Sequence, residues 1–145
     1  RTGARFRVPL EGEGRHVGPG DALQGTVKQG NVSHPQIFWQ GIGVDRKAVV
    51  YTPPNYDANQ KYPVLYLMHG IGGNETHWTT LCAANKVLDN LIADKKAVPM
   101  IIVMPNGRAT AEPPSSNFMS DFNYYAFFEK DLLQDLMPTI ESRYQ

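Results

Sequence analysis

Residues 65–78 read LYLMHGIGGNETHW: an apolar run, then His-Gly-Ile-Gly-Gly, then a polar turn closed by a tryptophan. The run starts two residues earlier, as PVLYLM over 63–68. An unbroken apolar run of this kind suits a strand covered on both faces, as in parallel sheets flanked by helices. Gly70, Gly72 and Gly73 follow it directly. Glycines there let the chain turn sharply off the strand and leave backbone, not side chain, facing whatever lies above.

Four readings of that loop compete. A phosphate loop requires Gly-x4-Gly-Lys-Ser/Thr, but the first lysine after these glycines is Lys86. The dinucleotide fingerprint Gly-x-Gly-x-x-Gly has its first pair in Gly70 and Gly72, but Glu75 stands where the last glycine belongs. An oxyanion-hole loop fits the pattern: acyl transfer builds negative charge on a carbonyl oxygen, and a backbone N–H aimed at it stabilises the transition state by about 3–4 kcal/mol. A His-Gly motif behind an early strand is one source of such a donor. A plain tight strand-to-helix turn is the fourth reading.

Outward from the loop, residues 84–97 carry Val87, Leu88, Leu91 and Ile92 at helical spacing, with Asn90, Asp94 and Lys95 expected to face outward. VPMIIVM at 98–104 is a second buried strand, so strand, helix and strand form a right-handed βαβ crossover. Upstream, residues 26–32 and 36–39 are expected as short strands broken by Ser-His-Pro, and KAVVYT at 47–52 as a better one stopped by Pro53-Pro54. Downstream, 105–121 is a long loop rich in Pro, Ser and Asn, functional or mobile by its length. Phe128, Leu132, Leu136 and Ile140 then mark a helix over 125–144, which Pro138 must kink or divide. Residues 1–25 are glycine-rich and read as an irregular lead-in or linker.

Composition narrows the function classes. The 145 residues suffice for one domain with a core, and 14 Lys+Arg offset 14 Asp+Glu. No global field therefore draws the chain to nucleic acid or an anionic membrane. No apolar stretch approaches the ~20 residues that span a bilayer. Cys82 is the single cysteine, so an internal disulfide is excluded, and its small apolar neighbours suggest a packed side chain. His69, His77 and Cys82 match no usual metal-ligand spacing. Asp121, Glu129 and Asp131 read as a loop acid, a helix-start charge and part of a solvated face. The chain opens on Arg1 and reads as a processed product or a piece of something longer.

Four blocks in order, RKAVVYTPPNYD, KYPVLYLMHGIGGNETHW, NLIADKKAVPMIIVMPNG and FEKDLLQDLMPTIESRY, resemble the esterase D-like α/β-hydrolases. The likeness is nearest to bacterial feruloyl (cinnamoyl) esterases of carbohydrate esterase family 1. It covers about residues 46–144, with a weaker match from 26.

The resemblance implies the N-terminal part of an α/β-hydrolase fold, three-layer α/β/α with a mostly parallel sheet, over 26–145. It implies a secreted Ser-His-Asp esterase without cofactor or metal, releasing hydroxycinnamates from feruloylated xylan beside glycanase modules. By this analogy Ile71 supplies the backbone N–H of one oxyanion donor, His69 orients the loop, Gly70, Gly72 and Gly73 shape it, and Trp78 lines the acyl or sugar site.

The family's nucleophile sits in Gly-x-Ser-x-Gly, which these residues lack; the serines are Ser33, Ser115, Ser116, Ser120 and Ser142. The triad is therefore expected in a C-terminal half beyond these 145 residues, leaving the chain inactive alone. A reading of another class is a non-catalytic carbohydrate-binding or assembly module that keeps half of the hydrolase scaffold.

Overall fold

The computed structural model describes residues 27–39, 43–108 and 123–144. The lead-in 1–25, most of the 105–121 loop with Ser115, Ser116 and Ser120, and Asp121 lie outside the described residues.

Strand β3 (Val44–Thr52) organises the sheet. Its β-branched and aromatic run suits a pleated, two-sided environment, and Ala48, Val49, Val50 and Tyr51 are fully buried. Along one edge lies a broken antiparallel strand: β1 (Asn31–Ser33) pairs with Thr52 to Val50, and β2 (Gln36–Trp39) pairs with Lys47 to Val44. The break falls at His34-Pro35. Proline has no ladder donor to give, but its carbonyl still accepts the Ala48 N–H at 3.2 Å.

The other edge of β3 pairs antiparallel with β5 (Ile101–Pro105), which pairs parallel with β4 (Val64–Tyr66). Of the four pairings among the described residues, this last is the parallel one. Period-two alternation along β5 divides the core in two. Ile101 and Val103 pack with Ile37, Ala48, Val50, Leu136 and Ile140 on one face. Ile102 and Met104 pack with Val49, Tyr51 and Leu88 on the other. Helices cover both faces, which makes the three expected layers.

On the first face, α3 (Asn123–Asp131) runs through a widened turn, Leu132–Leu136, into α4 (Met137–Tyr144). In that turn the Met137 N–H reaches back five residues to the Leu132 carbonyl. Pro138 follows immediately; the wider turn precedes the position where proline has no N–H to offer. The expected disruption is therefore a π-type turn just before the proline. Leu136 and Ile140 remain fully buried, and truncating either to alanine costs about 2–5 kcal/mol.

On the second face, α2 (Ala84–Ala93) buries Leu88 and half-buries Ile92. Val87 and Leu91, expected on the same stripe, are 52% and 36% exposed. The buried place goes to Asp89, which carries long-range hydrogen bonds that a hydrophobic stripe does not reveal.

Three further expectations are corrected. Leu65 is 43% exposed, because β4 has β5 as its single partner strand among the described residues and is not covered on both faces. Cys82, read as packed, is exposed beside Leu81 in the turn between α1 (His77–Thr80) and α2. Asp131, read as solvated, is buried against Arg46.

Candidate active site

The glycine loop leaves β4 at the C-terminal end of the parallel pair, where α/β sheets place ligands. The ladder continues one residue past the strand, with Leu67 N–H on the Val103 carbonyl at 2.8 Å. The chain then reverses: Gly73 N–H bonds the Gly70 carbonyl at 3.0 Å, with Ile71 and Gly72 at the corner. Gly72 has φ +75°, while Ile71 keeps a negative φ, so this is a type II turn whose third position requires glycine. Gly73 is needed for a different reason. A Cβ there would stand 2.9 Å from Nδ1 of both His69 and His77.

Beyond the turn, Asn74 Oδ1 accepts the Thr76 N–H and hydroxyl at 2.9 and 2.8 Å and starts α1. Trp78 on α1 donates its indole N–H to the Met68 carbonyl at 2.8 Å and packs on the second core face. It therefore fastens α1 to the strand end, and its ring is half-buried.

Ile71 stands at the tip, 71% exposed, and among the described residues no acceptor takes its N–H. A Cβ at Gly70 or Gly72 would meet nothing within 4 Å, so the backbone around this amide is open on its outer side.

His69 lies behind the turn. Its Nδ1 is 2.8 Å from the Gly70 carbonyl, and its Nε2 accepts the Gly107 N–H at 2.9 Å. Gly107 belongs to the segment after β5, which a polar network holds. Asn106 donates from Nδ2 to Glu75 at 2.9 Å, accepts the Arg108 N–H on Oδ1 at 3.0 Å, and accepts the Arg46 guanidinium on its carbonyl.

Below, Arg46 and Asp131 face each other at 3.9 Å, 7% and 2% exposed, a charge contact too long for a hydrogen bond. Burial pulls Arg46 down to about 10, against the opposing pull of Asp131 and then Glu75. Burial likewise pushes the Asp131 carboxyl up, with Arg46 opposing and Asp135 adding to the rise.

The structure thus brings His69 and the three glycines together around the Ile71 amide and sets Trp78 at the base of the loop. Among the described residues no cluster of three metal-ligating side chains occurs. Sequence reasoning missed Arg46, Glu75, Asn106 and Gly107. The available signal was the Asn-Gly pair directly behind the buried β5, which read as loop.

A sheet with helices on both faces and a glycine loop at the end of its parallel pair define an α/β-hydrolase scaffold. Residues 40–145 match the family described as "Putative esterase", and the chain belongs to that family. It is 33% identical over 135 residues to an endo-1,4-beta-xylanase/feruloyl esterase of Xylanibacter ruminicola, covering 85% of this chain and 17% of that protein. Against endo-1,4-beta-xylanase Y of Acetivibrio thermocellus it is 34% identical over 110 residues, 73% of this chain and 9% of the other. A ferulic acid esterase of Anaeromyces mucronatus, solved with ferulic acid, superposes with a TM-score of 0.73 at 28% identity, covering 83% of this chain and 46% of that one. The chain therefore spans under half of these relatives' lengths, and the likeness falls on the N-terminal portion of the fold.

Proposed function

We propose that this chain supplies one side of the oxyanion hole of a feruloyl esterase, with the Ile71 N–H as the donor. The observation that carries the reading is that amide itself. It sits at the tip of a glycine turn with open space around it, and no described residue uses it. In the reaction a serine oxygen attacks the ester carbonyl, and the carbonyl oxygen gains negative charge as the bond order falls. A fixed N–H directed at that oxygen stabilises the charged state more than the neutral ester. Gly70, Gly72 and Gly73 shape the approach, His69 orients it, and Trp78 borders the acyl or sugar side.

The nucleophile, its histidine and its acid belong to sequence beyond these 145 residues, consistent with relatives longer than this chain and with an outer edge of β4 that has no partner strand among the described residues. Hydrolysis through an acyl-serine uses no cofactor. A relative whose name joins xylanase and feruloyl esterase supports feruloylated xylan as substrate, glycanase modules as neighbours and action outside the cell.

The test compares residues 1–145 with a form extended through the nucleophile segment, both assayed on a feruloyl ester. Turnover confined to the extended form, and blocked by a serine-directed inhibitor, is expected. Equal inhibitor-sensitive turnover by the short form overturns the placement of the nucleophile. An extended form that binds xylan without hydrolysing any ester favours a carbohydrate-binding module.

A further inference from the structure

The peptide joining Gly70 to Ile71 carries the proposed donor at one end and a doubly held carbonyl at the other. That carbonyl lies 2.8 Å from His69 Nδ1 and accepts the Gly73 N–H at 3.0 Å. In a trans peptide the C=O and N–H point in opposite directions within one plane, and the described residues contain no cis bond. A carbonyl drawn toward the His69 ring therefore sends the Ile71 N–H the other way, out of the loop.

The ring's own partners decide its protonation. Gly107 offers a backbone N–H to Nε2 at 2.9 Å, and such a group can only donate. The Gly70 carbonyl can only accept. Nε2 is then the bare nitrogen and Nδ1 carries the proton. Asn106 holds the donating peptide in place through Glu75, the Arg108 N–H and the Arg46 guanidinium. A Cβ at Gly107 would stand 2.8 Å from the Met68 methyl, the far end of a flexible side chain, and 3.6 Å from Nε2, an ordinary contact distance, so the peptide lies directly against the ring.

We propose that the Asn106–Gly107 peptide clamps His69 as its neutral Nδ1–H tautomer, and that the clamped ring aims the Ile71 amide. His69, Asn106 and Gly107 are positioning residues, so the loop after β5 sets the geometry of the loop after β4. The catalytic consequence rests on the oxyanion reading above; the tautomer rests on the hydrogen bonds alone.

The experiment uses the complete esterase that carries these residues, with 15N-labelled histidine. Long-range 1H–15N correlation at neutral pH reads which nitrogen of each ring is protonated. The coupling across the Gly107 N–H to Nε2 hydrogen bond assigns the His69 signal in the unmodified protein. The expected ring is protonated on Nδ1 and bare on Nε2. Alongside, His69→Gln and Asn106→Ala are expected to lower kcat about 10-fold or more on a feruloyl ester with KM changed less than about twofold. His69→Asn, which keeps a donor near the Nδ1 position, is expected to recover part of the loss. An Nε2–H ring, or a ring averaging between tautomers, overturns the clamp. An Nδ1–H ring with kcat unchanged in both variants overturns the aiming role. If the unmodified protein hydrolyses no feruloyl ester, the functional reading falls while the ring signal still decides the clamp.

Discussion

Asp89 Oδ1 accepts the Tyr51 hydroxyl at 2.7 Å and the Gly30 N–H at 2.9 Å, so one buried carboxylate ties α2 to the central strand and to the approach to β1. Burial raises the Tyr51 hydroxyl above the ordinary tyrosine range, and the hydrogen bond to Asp89 and then its charge add to the rise. Unfolded Tyr51 loses its proton near pH 10, while the folded residue keeps it. The folded state then binds more protons than the unfolded one. This contribution to stability is complete below about pH 10 and is lost as pH climbs toward the raised folded value. Tyr51→Phe should cost about 1.5–3 kcal/mol at neutral pH and flatten that alkaline decline. Denaturant unfolding of both proteins at neutral and alkaline pH checks it; parallel declines would contradict it.

The Arg46–Asp131 pair predicts strong non-additivity. Arg46→Met alone leaves a buried carboxylate facing apolar groups and should cost about 3–5 kcal/mol, and Asp131→Leu alone a comparable amount. The double variant should recover most of that loss, because both desolvated charges are gone together. Urea unfolding of the four proteins closes the cycle. Additive single effects would show that the two charges do not compensate each other.

Much of the fold was legible before the structure. IIVM is apolar throughout and lies in the buried β5, AVVY within KAVVYT became the buried stretch of β3, and Leu136 and Ile140 kept their i+4 stripe. PVLYLM is as apolar as VPMIIVM but became a partly exposed strand with one partner among the described residues, since composition does not say what lies alongside. Asp89 was missed and Asp131 misread for one reason: their partners, Tyr51 and Arg46, stand far away in sequence. Local periodicity carries no information about such pairs. At the site, the glycines and His69 were legible as a loop. The hold that Asn106 and Gly107 exert on His69 was not, because two loops at neighbouring strand ends meet only once the parallel register is set.

The three glycines should rank by mechanism. Gly70→Ala meets open space without a positive φ and should leave stability within about 0.5 kcal/mol. Gly72→Ala forces a side chain into φ +75° and should cost about 1–2 kcal/mol. Gly73→Ala drives a methyl between His69 and His77 and should lower kcat as well as melting temperature. Thermal melts with kcat for each variant check the order; a harmless Gly73→Ala would contradict the packing.

The outer edge of β4, which has no partner strand among the described residues, should make residues 1–145 associate when produced alone, because unpaired strand groups beside an exposed Leu65 recruit another strand. Size exclusion is expected to show broad or large species, shifted toward monomer by Leu65→Lys. A sharp monomer that melts cooperatively would contradict it.

The proposed oxyanion donor is a single amide. Replacing the Ile71 peptide N–H with an ester oxygen, in the complete esterase, removes the donor and keeps the side chain. The expected kcat on a feruloyl ester is about 10²- to 10³-fold lower, with KM and melting temperature nearly unchanged. An unchanged kcat would contradict it.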